Sequence, residues 1–304
     1  MPGMSESEHK AIGPDLDRLL GFTIPDRDAR GRVVRLGPVL HKILAAHAYA
    51  PAIKHLLAEA LVVTALLGGL LKRAGSQLTL QAQTEGGIVE LLVCDYRDGE
   101  LRGYVKHDLE RLSLVGANPS LSALFGKGYL AITFDLAEAD QRYQGVVPLE
   151  GESLAEAVET YFAQSEQVPT LIRAAIRVGT DSCVAGGLLV QHLADAEEGR
   201  DRLHIRADRP EWDHVAILAQ SVQDEELLDP KLSCEGLIWR LFNEEREVRL
   251  QAATPLSRGC RCSLVHFEEV LARFPKADRR EMRDEKGIIR VDCAFCSREF
   301  PIQD

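Results

Sequence analysis

Four of the seven cysteines crowd into the last 45 residues, as Cys260-Arg261-Cys262 and Cys293-Ala294-Phe295-Cys296, two pairs thirty residues apart. Two short loops that each present a pair of soft sulfur ligands suit a single tetrahedral ion, and zinc is the metal such a set selects. The expectation is one Zn2+ per chain, held by Cys260, Cys262, Cys293 and Cys296. A tail of this length buries little apolar surface, so metal ligation would supply most of its folding free energy, on the order of 10 to 16 kcal/mol in small zinc modules. Between the pairs, a helical pattern runs from Val265 to Phe274 and stops at Pro275, and a further helix leads to a strand ending at Cys293. His266 is close enough in sequence to replace one sulfur, but four cysteines make that unnecessary.

Cys94, Cys183 and Cys234 stand alone in apolar sequence and read as small buried hydrophobes. With 304 residues, 45% of them hydrophobic and 27% charged, the chain has room for two domains or for one domain and a module. Its polar, acidic N-terminus does not have the pattern of a secretory leader, which points to the cytoplasm, where thiols stay reduced. Ala60 to Leu71, the most apolar run, is shorter than the ~18 residues a membrane span needs and reads as a buried helix, so no membrane association is expected. A net charge of -11 argues against nucleic acid as a partner. Phe125 to Gly128 contains the Gly-Lys of a phosphate loop without its other glycine or hydroxyl residue, and no nucleophile with its base can be nominated. Neither catalytic residues nor ATP turnover is expected.

Ahead of the tail, Arg30 to Gly37 reads as a first strand, followed by helices over Pro38 to His47 and Ala52 to Ala74. Leu78 to Thr84, Ile88 to Tyr96 and Glu100 to Val105 read as strands of an antiparallel meander, with a turn at Arg97, Asp98 and Gly99. Strands follow at Tyr129 to Phe134 and Arg142 to Val147, and Ser153 with Glu156 forms a capping box for a helix through Phe162. Leu171 to Val178 and Cys183 to Gln191 complete the region. Helices and strands come in blocks, so the expected class is α+β: a mixed core of helices and antiparallel sheet ending near residue 191.

Composition changes after Leu193: Ala194 to Asp229 carries eleven acids and four bases. Val215, Leu218 and Val222 nevertheless share one helix face, and Leu237 to Glu245 is a helical segment rich in large apolar groups, including Trp239, Leu241 and Phe242. Apolar surface of that size must be covered at rest.

Tyr161 to Thr170 (YFAQSEQVPT), Ala185 to Gln191 (AGGLLVQ), Leu237 to Glu245 (LIWRLFNEE) and the paired-cysteine tail together resemble the redox-regulated bacterial heat-shock chaperone family of about 33 kilodaltons. The resemblance runs from roughly Arg30 to the C-terminus, with residues to about Asp28 looking like an extension and Glu197 to Asp213 like a lengthened charged stretch. It implies an N-terminal core domain (residues 1–193), a metastable helical linker (194–254) and a zinc-binding redox-switch domain (255–304). It also implies ATP-independent holding of unfolding client proteins, activation by oxidative stress, and a homodimer on activation. The linker's Val215, Leu218, Val222, Trp239, Leu241 and Phe242 would then be covered in the reduced state and exposed to clients once released.

For the oxidised tail, bridging neighbours closes loops of three or four residues, whereas joining Cys262 to Cys293 closes thirty-two and costs roughly 2 kcal/mol more chain entropy. Disulfides between Cys260 and Cys262 and between Cys293 and Cys296 are therefore favoured. Two other readings compete. A zinc ribbon that binds nucleic acid predicts a basic tail, but Pro255 to Asp304 has ten bases and nine acids. A thiol-disulfide oxidoreductase would place its C-x-x-C at a helix start in a βαβ setting, whereas Cys293 and Cys296 follow a short strand.

Overall fold

The computed structural model describes residues 15–137, 141–179, 183–193 and 210–303. Two strands, β1 (Arg18–Ile24) and β2 (Ala29–Leu36), lead into helices α1 (Pro38–Leu44) and α2 (Pro51–Gly68). The meander follows as β3 (Gln77–Thr84), β4 (Val89–Arg97) and β5 (Glu100–His107), then short helices α3 (Leu109–Ser113) and α4 (Leu121–Phe125), then β6 (Gly128–Leu136) and β7 (Gln141–Pro148). Helix α5 (Leu154–Tyr161) and the hairpin β8 (Thr170–Val178) and β9 (Cys183–His192) end the core. The class is α+β, as expected. β1 corrects one expectation: the stretch that looked like an extension contains an integral strand, antiparallel to β2 from Arg18↔Arg35 to Ile24↔Ala29.

The strands of this core divide between two sheets among the described residues. One carries the order β5-β4-β3-β6-β7, and the other β1-β2-β9-β8. Helix α2 lies between them. It is apolar enough to cross a membrane by composition, yet 78% of it is buried inside the protein, because both of its sides face a sheet. The β4–β5 hairpin turns at Asp98 (φ 50°) and Gly99 (φ 84°), the two positive φ values that a two-residue hairpin of this hand requires. Ser153 caps α5 by accepting from the Glu156 N–H at 3.2 Å, but the Glu156 carboxylate reaches back to the N–H of Glu152 rather than of Ser153, so the expected box is shifted by one residue.

A second apolar layer covers the far face of the β1-β2-β9-β8 sheet. It is built by α6 (Pro210–Gln220), α7 (Asp224–Leu228) and α8 (Cys234–Phe242). Gly186 and Gly187 in β9 make the two faces possible: a Cβ on Gly186 would lie 2.2 Å from the Leu227 carbonyl oxygen, and one on Gly187 would lie 2.4 Å from Val62 of α2. The polar contacts across this layer are equally specific. Arg35 of β2, only 1% exposed, donates to the backbone carbonyls of Leu227 (2.8 Å), Leu232 (2.6 Å) and Glu226 (3.0 Å). Asp15 accepts from the Cys234 N–H at the start of α8 (2.6 Å).

Beyond α8 the chain runs along sheet edges. β10 (Arg249–Leu250) and β11 (Thr254–Pro255) pair with the free edge of β1, and β12 (Ser257–Arg258) pairs in parallel with β5 of the other sheet. The tail then folds as α9 (Leu264–Leu271), α10 (Lys276–Glu281) and the hairpin β13 (Ile288–Asp292) and β14 (Glu299–Gln303). Its apolar cluster is small, with Leu271, Ile289 and Ile302 buried and Phe267 and Val291 packed against them.

Candidate metal centre

Cys260 and Cys262 sit in the loop that leaves β12. That loop is fixed at its base by main-chain bonds from Ser257 to Gly99 O and from Gly259 to Leu101 O, each 2.9 Å. The tight Asp98-Gly99 turn makes room for the approach, since a Cβ on Gly99 would lie 2.6 Å from the Pro255 carbonyl oxygen. Cys293 and Cys296 sit in the β13–β14 turn, where Cys293 N–H donates to Arg298 O (3.0 Å) and Cys293 O accepts from Cys296 (3.2 Å) and Ser297 (2.8 Å). Ser297 takes a left-handed φ of 56° to close this knuckle.

The four sulfurs converge. Cys260 Sγ lies 3.3 Å from Cys262 Sγ and 3.6 Å from Cys293 Sγ, Cys262 Sγ lies 3.5 Å from Cys296 Sγ, and all four fall within 4.8 Å of one another. Four thiolates at the usual Zn–S distance of about 2.3 Å stand about 3.8 Å apart in a tetrahedron. The donor set therefore fits zinc in chemistry and in spacing. The same distances do not distinguish disulfides between neighbours from disulfides across the pairs. His266, on α9, is not part of the group. As free thiols the sulfurs crowd one another: burial first, then hydrogen bonding with Cys260, Cys296 and Cys293, pushes the Cys262 thiol well above the usual cysteine range.

Contacts around the knuckle dock the tail on the core. Phe295, between the two knuckle cysteines, meets Tyr104 of β5 edge-on, with ring centroids 4.9 Å apart, and Arg102 stacks over it at 4.0 Å. Arg102 is itself held by Asp95 (2.7 Å), and Asp95 by Thr79 (2.7 Å). Ser297 Oγ lies 3.0 Å from Nδ1 of His47, and Arg261 donates to Gln77. Sequence reasoning missed every member of this set. The signal available was the aromatic inside the C-x-x-C, a position where a metal knuckle alone needs no ring.

The linker residues expected to be covered divide. Val215, Val222, Leu241 and Phe242 are buried and Leu218 is half-buried, all against the β1-β2-β9-β8 sheet. Trp239 is 71% exposed, which corrects the expectation for it. The residues of α8 that turn inward are Cys234, Leu237, Ile238, Leu241 and Phe242, and the 100° step per residue leaves Trp239 on the opposite side. Leu227, Leu228 and Ala219 are further covering residues not foreseen. Most of the lengthened charged stretch from Glu197 to Asp213 lies outside the described residues. Cys94, Cys183 and Cys234 are buried, and burial pushes the Cys234 thiol up to about 12.

The sequence profile of the Hsp33 protein family matches residues 17–303. A 33 kDa chaperonin of Caulobacter vibrioides is 39% identical, with 96% of this chain and 97% of that protein covered. A 33 kDa chaperonin of Nitrosococcus oceani is 36% identical over 93% of this chain and 90% of that protein. In fold, the chain is similar to the crystal structure of the 33 kDa chaperonin, a heat shock protein 33 homologue, from Thermotoga maritima (TM-score 0.76, 22% identity, 94% and 95% of the two chains). The profile begins one residue before β1, in agreement with that strand's place in the sheet. This chain therefore belongs to the Hsp33 protein family.

Proposed function

We propose that this chain is an ATP-independent holdase chaperone, not an enzyme, that oxidation switches on in the cytoplasm. The observation that carries the reading is the path of the chain. The helices covering one sheet face continue without interruption through β10, β11 and β12, and Cys260 follows β12 by two residues. What happens at the sulfurs is thus tied by a few residues of strand to what happens at the covered face.

Cys260, Cys262, Cys293 and Cys296 would hold one zinc per chain, which when bound keeps the sulfurs as thiolates and cross-links the loop after β12 to the β13–β14 knuckle. Each neighbouring pair gives up two electrons to an oxidant such as hydrogen peroxide: two thiolates, one peroxide and two protons become one disulfide and two waters. Oxidised sulfurs no longer form a four-thiolate set, and the tail's small apolar cluster is insufficient to keep it folded. The contacts of Phe295, Ser297 and Arg261 with the core are lost with it. The linker, residues 194–254, is then released, uncovering Val215, Leu218, Val222, Leu241 and Phe242 and the sheet face beneath. Unfolding client segments bind that apolar surface, and two activated chains associate as a homodimer. Exposed Trp239 would contact clients or the second chain without needing release.

Light scattering of a thermally unfolding client, with reduced zinc-loaded and peroxide-treated protein side by side, tests the reading. Suppression of aggregation by the oxidised form alone is expected. Equal suppression by both forms would remove the redox switch, and none by either would remove the chaperone.

A further inference from the structure

A cleft of about 680 Å3 opens between the two sheets beside the C-terminal end of α2, away from the cysteines and from the linker helices. That size lies within the range of about 300 to 1,000 Å3 for small-molecule sites. Its wall is apolar: Leu71 after α2, Phe134 and Leu136 of β6, and Phe162. Its polar groups are placed, not incidental. Glu166 Oε1 accepts from Tyr143 and Tyr161 hydroxyls, 2.7 Å each, and is brought there by a turn of π-helix over Phe162–Glu166 that ends in a left-handed Gln167 (φ 55°).

The cleft also carries a cluster of basic side chains. Arg30, Lys72 and Arg73 line it, and Glu166 is the one carboxylate among its described lining residues. Gln191 fixes the Arg30 guanidinium through Nε (3.0 Å) and Nη2 (2.8 Å), and no carboxylate pairs with Arg30 among the described residues. In a chain of net charge -11 this is a local reversal of sign beside an apolar wall. We propose that the cleft binds an anionic amphiphile, an alkyl carboxylate whose chain lies along Leu71, Phe134, Leu136 and Phe162 and whose headgroup meets Arg30, with Lys72 and Arg73 at the rim.

The test uses full-length, reduced, zinc-loaded protein and a dansyl-labelled undecanoate as the fluorescent probe, with its methyl ester as the uncharged arm. Saturable binding of one acid per chain is expected, displaced by dodecanoate but not by inorganic phosphate. Arg30→Gln should weaken the acid about tenfold, the worth of one charge-assisted hydrogen bond, and leave the ester unchanged. Leu136→Glu, at a position already 40% exposed, should abolish binding of both without disturbing the fold. If Arg30→Gln fails to fold, Lys72→Gln makes the same comparison and should weaken the acid several-fold. Equal affinity for acid and ester, displacement by phosphate alone, absence of saturable binding, or an unchanged acid affinity in the folded charge variant would each overturn the proposal.

Discussion

Cys262 and Phe295 show how few atoms connect the four-cysteine cluster to the rest of the protein. Cys262 lies among three other sulfurs, and a closed four-sulfur site has no spare ligand. Cys262→Ser should therefore lower zinc content well below one per chain, by metal analysis of the purified variant. Full retention of zinc would sink the ligand assignment. Phe295 supplies no ligand; its edge-on contact with Tyr104 and the stacked Arg102 together contribute about 1 to 2 kcal/mol to docking. Phe295→Ala should keep its zinc but release it to peroxide several-fold faster, with increased hydrogen exchange at Ser257 and Arg258. Wild-type release rates would mean that the knuckle does not depend on the core.

At the scale of elements, the linker layer is both well packed and poorly suited to independence. Its helices are short, at eleven, five and nine residues, below the length at which an isolated helix is stable in water. Their folded state thus depends on the sheet, on Arg35 and Asp15, and on the edge pairing of β10 and β11. Gly186→Ala places a methyl group against the Leu227 carbonyl oxygen and should destabilise docking by about 1 to 3 kcal/mol. Phe242→Asp buries a carboxylate where the ring is 1% exposed and should be more severe. Both variants are expected to hold zinc, become protease-sensitive between residues 210 and 245, and suppress client aggregation while still reduced. A variant whose linker is cut readily yet remains inactive until oxidised would show that undocking is not the switch.

Over the whole molecule, the apolar clusters formed by the described residues differ greatly in size and predict different levels of stability. The cluster around α2 and the one beneath the linker are extensive, whereas the tail buries three apolar residues in its own cluster. Zinc removal by a strong chelator under reducing conditions should therefore unfold the tail and release the linker while the core around α2 stays folded. Amides of β13 and β14 would then exchange freely while those of β3, β4 and α2 stay protected. Loss of protection throughout would mean that core and tail form one cooperative unit.

The grouping of the four cysteines and most of the strands were legible in the sequence because their signals are local. Sulfur spacing is read directly from C-x-C and C-x-x-C, and period-two alternation marks β3 whatever it pairs with. Asp98-Gly99 announces its own turn. Tertiary structure decided the rest, for reasons that no window of residues contains. β1 carries little alternation because both of its faces are buried, so it became recognisable only as the strand that β2 and the returning linker both need. Trp239 belongs to the most apolar segment of the linker, and only the docking angle of α8 sends it to solvent while Leu241 and Phe242 turn inward. The worth of Arg35 lies in three carbonyl groups some 190 residues away, and that of Phe295 in a ring on β5. Spacing determines which sulfurs can share an ion; only the packed chain determines what the loops that carry them touch.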